Sequence, residues 1–274
     1  MEWVSKLMHH KLWMWIVAIG FAAVTLIPFI WSIYTSFKPT SQVYENWVPL
    51  SHLSAGSYAY ILKQFPFARW FLNSVVVAGF VTIGTLIVNT LAGYALARLK
   101  FPGRGLIFYI FLGIMMIPGQ IVLVPMYMLL SHLGWVDSYQ GLIIPFLMNP
   151  FLIFLARQFF LGIPKELEEA GRIDGLSYWG MFWRIFLPLS RPLLAAETIF
   201  AFQGNWNSFL WPVILEQRQH MYTLPVGLSS FYNQYNQYWN NVLAGVVLLT
   251  IPMIIVFLIF QKQFIQGIST TGIR

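Results

Sequence analysis

A bundle of six membrane-spanning helices is the fold this sequence predicts, and three observations predict it. Of the 274 residues, 58% are hydrophobic and only 9% are charged, with mean hydropathy +0.67. A water-facing domain carries roughly 25% charged residues, so much of this chain's outer surface must face lipid. Six stretches reach the roughly 20 apolar residues that a helix needs to cross a bilayer: Leu12–Tyr34, Phe71–Leu96, Leu106–Leu130, Leu142–Phe160, Leu193–Ile214 and Val242–Phe260. Between them the basic residues alternate in density. Helices rather than isolated strands follow, because backbone groups in lipid must be satisfied within their own segment.

The first stretch follows Lys6 and Lys11, as a signal peptide would, but it is too long and lacks a small-x-small cleavage site. It is read as an uncleaved span. Orientation comes from counting Lys and Arg in alternate loops. One side holds Lys6, Lys11, Arg98, Lys100, Arg104, Arg157, Lys165, Arg172, Arg184, Arg191, Lys262 and Arg274; the other holds Lys38, Lys63, Arg69 and Arg218. These account for all sixteen, so none falls mid-membrane and both termini are expected in the cytoplasm. The net charge of +7 therefore belongs to the positive-inside pattern and not to a nucleic-acid partner. With no cysteine, disulfides and thiolate metal sites are excluded. No Gly-x4-Gly-Lys-Ser/Thr loop occurs, so any ATP is handled by a different chain.

Inside the spans, Asn89, Gly93 and Ala97 recur every four residues and give the second helix a small or polar face suited to close packing, or to lining a pore. Pro118-Gly119, Pro145 and Pro150 are expected to kink or break the third and fourth helices. Glu197 reads as a headgroup-level carboxylate paired with Arg191, or as a gate or ion site. Gln203, Asn205, Trp206 and Asn207 in the fifth stretch either bond helix to helix or line a translocation path. An ion-coupled transporter working alone would show internal repeats and several embedded ionisable groups; no evident repeat is present. An intramembrane enzyme would need a nucleophile–base or metal constellation, and none is evident, so no catalytic or metal-ligating residue and no bound cofactor is assigned.

The loop between the fourth and fifth stretches is the most informative segment. It runs from Ile163 to Gly175 and holds four of the nine acidic residues. Pro164 suits a first helical turn, and Glu166, Glu168 and Glu169 favour the positive end of the helix dipole. Gly175 is a natural stop. Between them a helix of about ten residues, roughly 15 Å long, carries a small apolar stripe of Leu167, Ala170, Ile173 and Leu176. A second short helix is capped by Ser177, and its stripe of Trp179, Phe182, Trp183 and Phe186 is expected along the membrane interface. The pair reads as a charged knob held away from the bilayer, presenting a surface to something cytoplasmic.

Glu169-Ala170-Gly171, Gly175, Ile185 and Leu187-Pro188 stand at the spacing E-A-A-x-x-x-G-x9-I-x-L-P. This loop resembles that of integral membrane subunits of ABC importers, with Gly171 in place of the second alanine. The resemblance implies the type I importer permease fold, all-α with six spans. It also implies that Glu169, Ala170, Gly171, Arg172, Asp174 and Gly175 form a coupling helix that docks into a cleft on an ATPase subunit.

Further segments cover nearly the whole chain and resemble the shorter, MalG-like subunit of maltose-type carbohydrate importers: Thr35-Ser36-Phe37-Lys38-Pro39, Asn73-Ser74, Ala92 to Arg104, Met116-Ile117-Pro118, Arg157-Gln158-Phe159-Phe160, Trp206 to Pro212 and Thr223-Leu224-Pro225. The branch implies a second, different permease, an ATPase homodimer that binds the ATP and Mg2+, and an extracytoplasmic sugar-binding protein, all at a bacterial or archaeal cytoplasmic membrane. A single transmembrane domain over 1–274 is expected, with its first span at about 12–34, core spans over about 71–260, the coupling loop at 163–191 and a cytoplasmic tail at 261–274.

Residues 231–241 contain five aromatics and six amides. Amides match sugar hydroxyls and aromatic faces pack on C–H patches, although an interfacial aromatic belt explains Tyr238 and Trp239 equally well. In MalG-like subunits this loop reaches into the binding protein. Tyr232, Asn233, Gln234, Tyr235, Asn236, Gln237 and Tyr238 are thus the expected contact with that protein or its sugar. The alternative cargo is a polyol, glycerol phosphoester or osmolyte.

Overall fold

The computed structural model describes the backbone of residues 2–231 and 238–271 and the side chains of 13–231 and 238–263, and every regular element among them is helical. In chain order these are α1 (Glu2–Ser36), α2 (Gly56–Gln64), α3 (Phe67–Arg98), α4 (Arg104–Met115), α5 (Leu123–His132), α6 (Tyr139–Ile143), α7 (Pro150–Gly162), α8 (Lys165–Ile173) and α9 (Tyr178–Met181). A π-helical turn (Phe182–Phe186) leads to α10 (Leu187–Leu189), α11 (Arg191–Trp206), α12 (Leu210–Leu215), α13 (Leu224–Ser229) and α14 (Trp239–Thr271).

Among the described residues, four segments are long and apolar enough to span a bilayer: Trp13–Ser36, Phe67–Arg98, Tyr139–Gly162 and Trp239–Gln263. Two bent pairs raise the number to six if each is one span: Arg104–Met115 with Gly119–His132, bent by 93°, and Tyr178–Leu189 with Arg191–Trp206, bent by 77°. The first bend falls at Pro118-Gly119, where Pro118 is extended with ψ 129°. Pro145 sits in a 3-10 turn, and Pro150 opens α7, capped by Asn149 Oδ1 accepting from the Phe151 and Leu152 amides.

The fifth stretch departs from expectation. Leu193–Ile214 is not one helix: α11 stops at Trp206 and α12 restarts at Leu210. Asn205, Asn207 and Ser208 crowd the break, and such short polar side chains compete with the helical backbone. The helix α14 continues to Thr271, through most of the segment expected as the tail. Its apolar run extends to Gln263, so the backbone has no reason to leave the helix at Phe260.

The chain divides into two compact units, residues 1–66 with 228–250, and residues 67–227 with 251–274. In the first, residues 13–31 of α1 are exposed on every side. An apolar helix bare all round is at home only against lipid or another chain. In the last turn of α1, Tyr34 Oη donates to Val48 O at 2.8 Å and Ser36 Oγ bonds Tyr58 Oη at 2.7 Å, fixing the return of the chain.

In the second unit α3 is the central strut, packed on α7 and α11. A Cβ on Gly93 would collide with Ala156, so the small face of α3 serves close approach to α7. Asn89 is buried on that face; its Oδ1 accepts from the Asn149 amide at 3.1 Å, closing a backbone gap just before α7. Tyr94, Ala156, Phe160, Met181, Phe182, Phe186 and Leu193 form the core beneath α8.

Candidate functional site

The helix α8 forms as its sequence dictates. Pro164 takes the N-cap, Glu166 and Glu168 occupy the first turn and Arg172 the last. It ends in two bonds, Leu176 N to Gly171 O at 2.9 Å and Gly175 N to Arg172 O at 3.0 Å. That is a Schellman stop, and Gly175 supplies its left-handed residue at φ +74°. Gly171 is buried; a Cβ there would sit 2.7 Å from Ile185 Cδ1, so glycine lets α8 lie close on Met181 and Ile185. The far side is open: Glu169 and Ile173 are exposed, Ile173 by 87%, as are Ala170 on the flank and, less fully, Leu167 one turn before Gly171.

Arg98, at the end of α3, holds this knob in place, and charge counting alone had assigned it only to the positive side. It is 7% exposed. Its Nε donates to Phe160 O at 3.0 Å and its Nη2 to Phe160 O and Ile163 O. Its Nη1 lies 3.5 Å from Glu168 Oε2, and the guanidinium sits over the Phe186 ring. One side chain therefore satisfies the carbonyls at the end of α7 and anchors the first turn of α8. Glu168 in turn accepts from Arg172 Nη2 at 2.6 Å, and Tyr94 Oη donates to Tyr178 O at 2.9 Å across the next turn.

The aromatic stripe of the second short helix divides instead of lying on one surface. Phe182 and Phe186 are buried in the core beneath α8, whereas Trp179 and Trp183 are 59% and 51% exposed. On the helix the two Phe lie along one edge of the stripe and the two Trp along the other, so the burial boundary runs down its middle. Only the Trp pair is free to meet an interface.

The remaining expected residues are dispersed. Gln203 and Asn207 are exposed, and Asn205 Nδ2 donates to Ala201 O at 2.7 Å within its own helix, so the expected helix-to-helix amide bond is not made by Asn205. Asn205 lines a hollow of about 300 Å3 with Asn149, Phe200, Ser208 and Trp211. Trp206 is buried, stacked on Phe202 at 5.4 Å. Glu197 is fully buried and is not paired with Arg191, which is exposed; its Oε2 accepts from Thr90 Oγ1 at 2.8 Å. The reason is rotational: Glu197 shares the face of α11 that carries Leu193 and Ala201 into the bundle. Tyr232 to Gln237 lie outside the described residues, and Tyr238 is 39% exposed.

A second cluster went unread in the sequence. Asn73, fully buried, donates from Nδ2 to His220 O and Tyr222 O, both at 2.9 Å, and Trp70 Nε1 donates to Gln219 O at 2.9 Å. Asp137 accepts from the Gln217 and Arg218 amides and pairs with the Arg218 guanidinium. The segment 216–223 is thereby pinned. Within it Glu216 Oε2 accepts from the Thr223 amide at 2.9 Å while Oε1 has no partner. Burial pushes the Glu216 carboxyl up to about 8, outweighing the Thr223 bonds. A raised folded-state value means that this group's stabilisation is complete below its ordinary value of 4.5 and is lost as pH rises through about 8. Melting of the purified protein should therefore decline from pH 5 to 8, and Glu216→Gln should flatten that decline. An equal slope in the two proteins would remove Glu216 as its cause.

The family described as "binding-protein-dependent transport system inner membrane component" matches residues 89–270, from mid-α3 through α8 into α14. The chain belongs to that family. This transport component is 36% identical over 268 residues to an arabinooligosaccharides transport system permease protein of Halalkalibacterium halodurans, covering 95% of this chain and 96% of that one. It is 34% identical to an sn-glycerol-3-phosphate transport system permease protein of Yersinia pestis, over 84% and 81% of the two chains. Among solved structures it superposes with TM-score 0.81 and 27% identity on a chain of a bacterial ABC transporter involved in import of the acidic polysaccharide alginate, covering 90% of this chain and 94% of that one. It is a multi-pass membrane protein of the ABC transporter permease kind.

Proposed function

We propose that this permease is one of two dissimilar membrane subunits of an ATP-driven importer for a sugar or oligosaccharide. An extracytoplasmic binding protein hands over the sugar, and an ATPase homodimer supplies the work. The observation that carries the coupling role is the division of α8 into a face clamped by Arg98 and Gly171 and an open side of Glu169, Ala170 and Ile173. A helix rigidly seated on its own chain transmits a push from whatever docks on its free side. The carbohydrate cargo rests on the arabinooligosaccharide relative and the alginate importer. Gln203, Asn205, Trp206 and Asn207 are assigned to the translocation path, and Tyr232 to Tyr238 to the binding protein. ATP and Mg2+ belong to the partner ATPase. The twelve-to-four asymmetry of Lys and Arg supports a cytoplasmic location for both termini and α8.

Uptake and labelling in the same intact cells test the reading. Cells expressing the whole system should accumulate labelled oligosaccharide. Gln219→Cys should react with an impermeant maleimide from outside, and Lys165→Cys only after the membrane is opened. Labelling of Lys165→Cys in intact cells would reverse the orientation. Uptake of sn-glycerol 3-phosphate without uptake of sugar would favour the second reading, which the Yersinia relative supports.

A further inference from the structure

The unit formed by residues 1–66 and 228–250 holds a hollow of about 340 Å3 that the coupling surface does not use. Lys38, Ser57, Tyr60, Tyr238, Asn240 and Asn241 are among its lining residues. Two of them carry buried oxygens with no hydrogen-bond partner, Ser57 Oγ and Asn240 Oδ1, on residues only 5% and 2% exposed. Asn240 is held firmly, with Nδ2 donating to Lys38 O at 3.1 Å and Thr40 Oγ1 at 3.2 Å, so the unpaired atom is its acceptor. Folded proteins seldom leave such atoms unpaired unless something else completes them.

The chemistry narrows what completes them. Asn240 Oδ1 needs a donor, while the Ser57 hydroxyl gives or takes. A carboxylate or phosphate only accepts and would leave Asn240 unpaired. An ammonium or guanidinium donates, but it would stand beside Lys38. That amine is already committed, donating to Glu45 O at 2.7 Å and lying 4.7 Å over the Trp31 and Tyr34 rings. An alcohol, like water, both donates and accepts, and adjacent hydroxyls on a ring do so at several points at once. Tyr60 and Tyr238, 45% and 39% exposed, add aromatic surface of the kind that packs on the C–H patches of such a ring. The volume lies at the low end of the roughly 300–1,000 Å3 of small-molecule sites, room for one ring and not a chain.

We propose that this hollow is a carbohydrate subsite that holds a single neutral sugar ring through Asn240 and Ser57. Its role, as a resting point for one ring of the cargo, rests on the import reading; binding in the hollow does not depend on it. The test uses the assembled complex, purified without its binding protein, and ligand-observed saturation-transfer NMR with D-glucose and L-arabinose as probes. Wild type should transfer saturation to at least one probe, and the double variant Ser57→Ala, Tyr60→Ala should lower that transfer at least twofold. Neither change touches the bonds that hold Asn240. If the double variant melts earlier than wild type, Ser57→Ala alone, which removes only a hydroxyl, carries the comparison. Equal transfer in wild type and variant, or none from wild type to either sugar, overturns the proposal. Uptake measured in parallel separates the two readings: uptake without transfer sinks the hollow alone, and transfer without uptake sinks the import reading alone.

Discussion

Replacing Arg98 with alanine is expected to uncouple ATP hydrolysis from transport and to destabilise the complex. The truncation leaves Phe160 O and Ile163 O, at the end of α7, without their guanidinium donor. It also removes the cation facing Glu168. Hydrogen bonds to charged groups contribute about 1.5–3 kcal/mol each; Phe160 O keeps the Ile163 amide at 3.3 Å, so the added desolvation loss falls on Ile163 O. The expected cost is about 3 kcal/mol or more. Arg98→Lys should recover only part of it, because one ammonium cannot reproduce a fork that serves two carbonyls and a carboxylate. Glu168→Gln should be mild, since Arg98 keeps its carbonyls. The readings that distinguish a coupling role from mere packing are ATP hydrolysed per sugar imported and the stimulation of hydrolysis by loaded binding protein. Arg98→Ala complexes that melt early but keep the wild-type ratio would confine Arg98 to stability.

What the sequence disclosed and what it hid divide along physical lines. Apolar length disclosed four of the spans, because the bilayer sets that length whatever the packing. Pro118-Gly119, Pro164 and Gly175 disclosed a bend and both ends of α8, because ring closure and left-handed backbone act within a few residues. The break at Asn207–Phe209 was hidden, since hydropathy averages over two polar residues, Asn207 and Ser208, set in an apolar run. Glu197 was misjudged for a different reason. Its distance from Arg191 along the helix suggested a pair, but which face of α11 turns inward is decided by α3, about a hundred residues away. Arg98 was read by its charge, whereas its role lies in carbonyls that only the packing of α7 on α3 brings within reach. Gly171, which stands in place of the second alanine of the importer loop, is the point where α8 rests against Ile185. Local chemistry was legible in each case; long-range rotation was not.

Gly175→Val combined with Glu169→Lys is expected to leave the chain inserted and folded while weakening its hold on the ATPase. Gly175 has φ +74° and nothing within 4 Å of where a Cβ would stand, so the cost is conformational and not a clash. The left-handed region costs an ordinary residue about 1–2 kcal/mol and a β-branched one more. Valine therefore opens the Schellman stop and frees Asp174 and Leu176 from their register. Gly175→Asn is the control, because asparagine tolerates that region and should preserve coupling. Glu169 stands on the open face at the middle of α8. Lysine there reverses any pairing with a cation on the partner. Neither site lies in an apolar span, so yield and membrane insertion should match wild type. Co-purification of the ATPase should fall, or basal hydrolysis should no longer respond to loaded binding protein. Assembly and coupling at wild-type levels in the double variant would show that the free face of α8 is not where the ATPase docks.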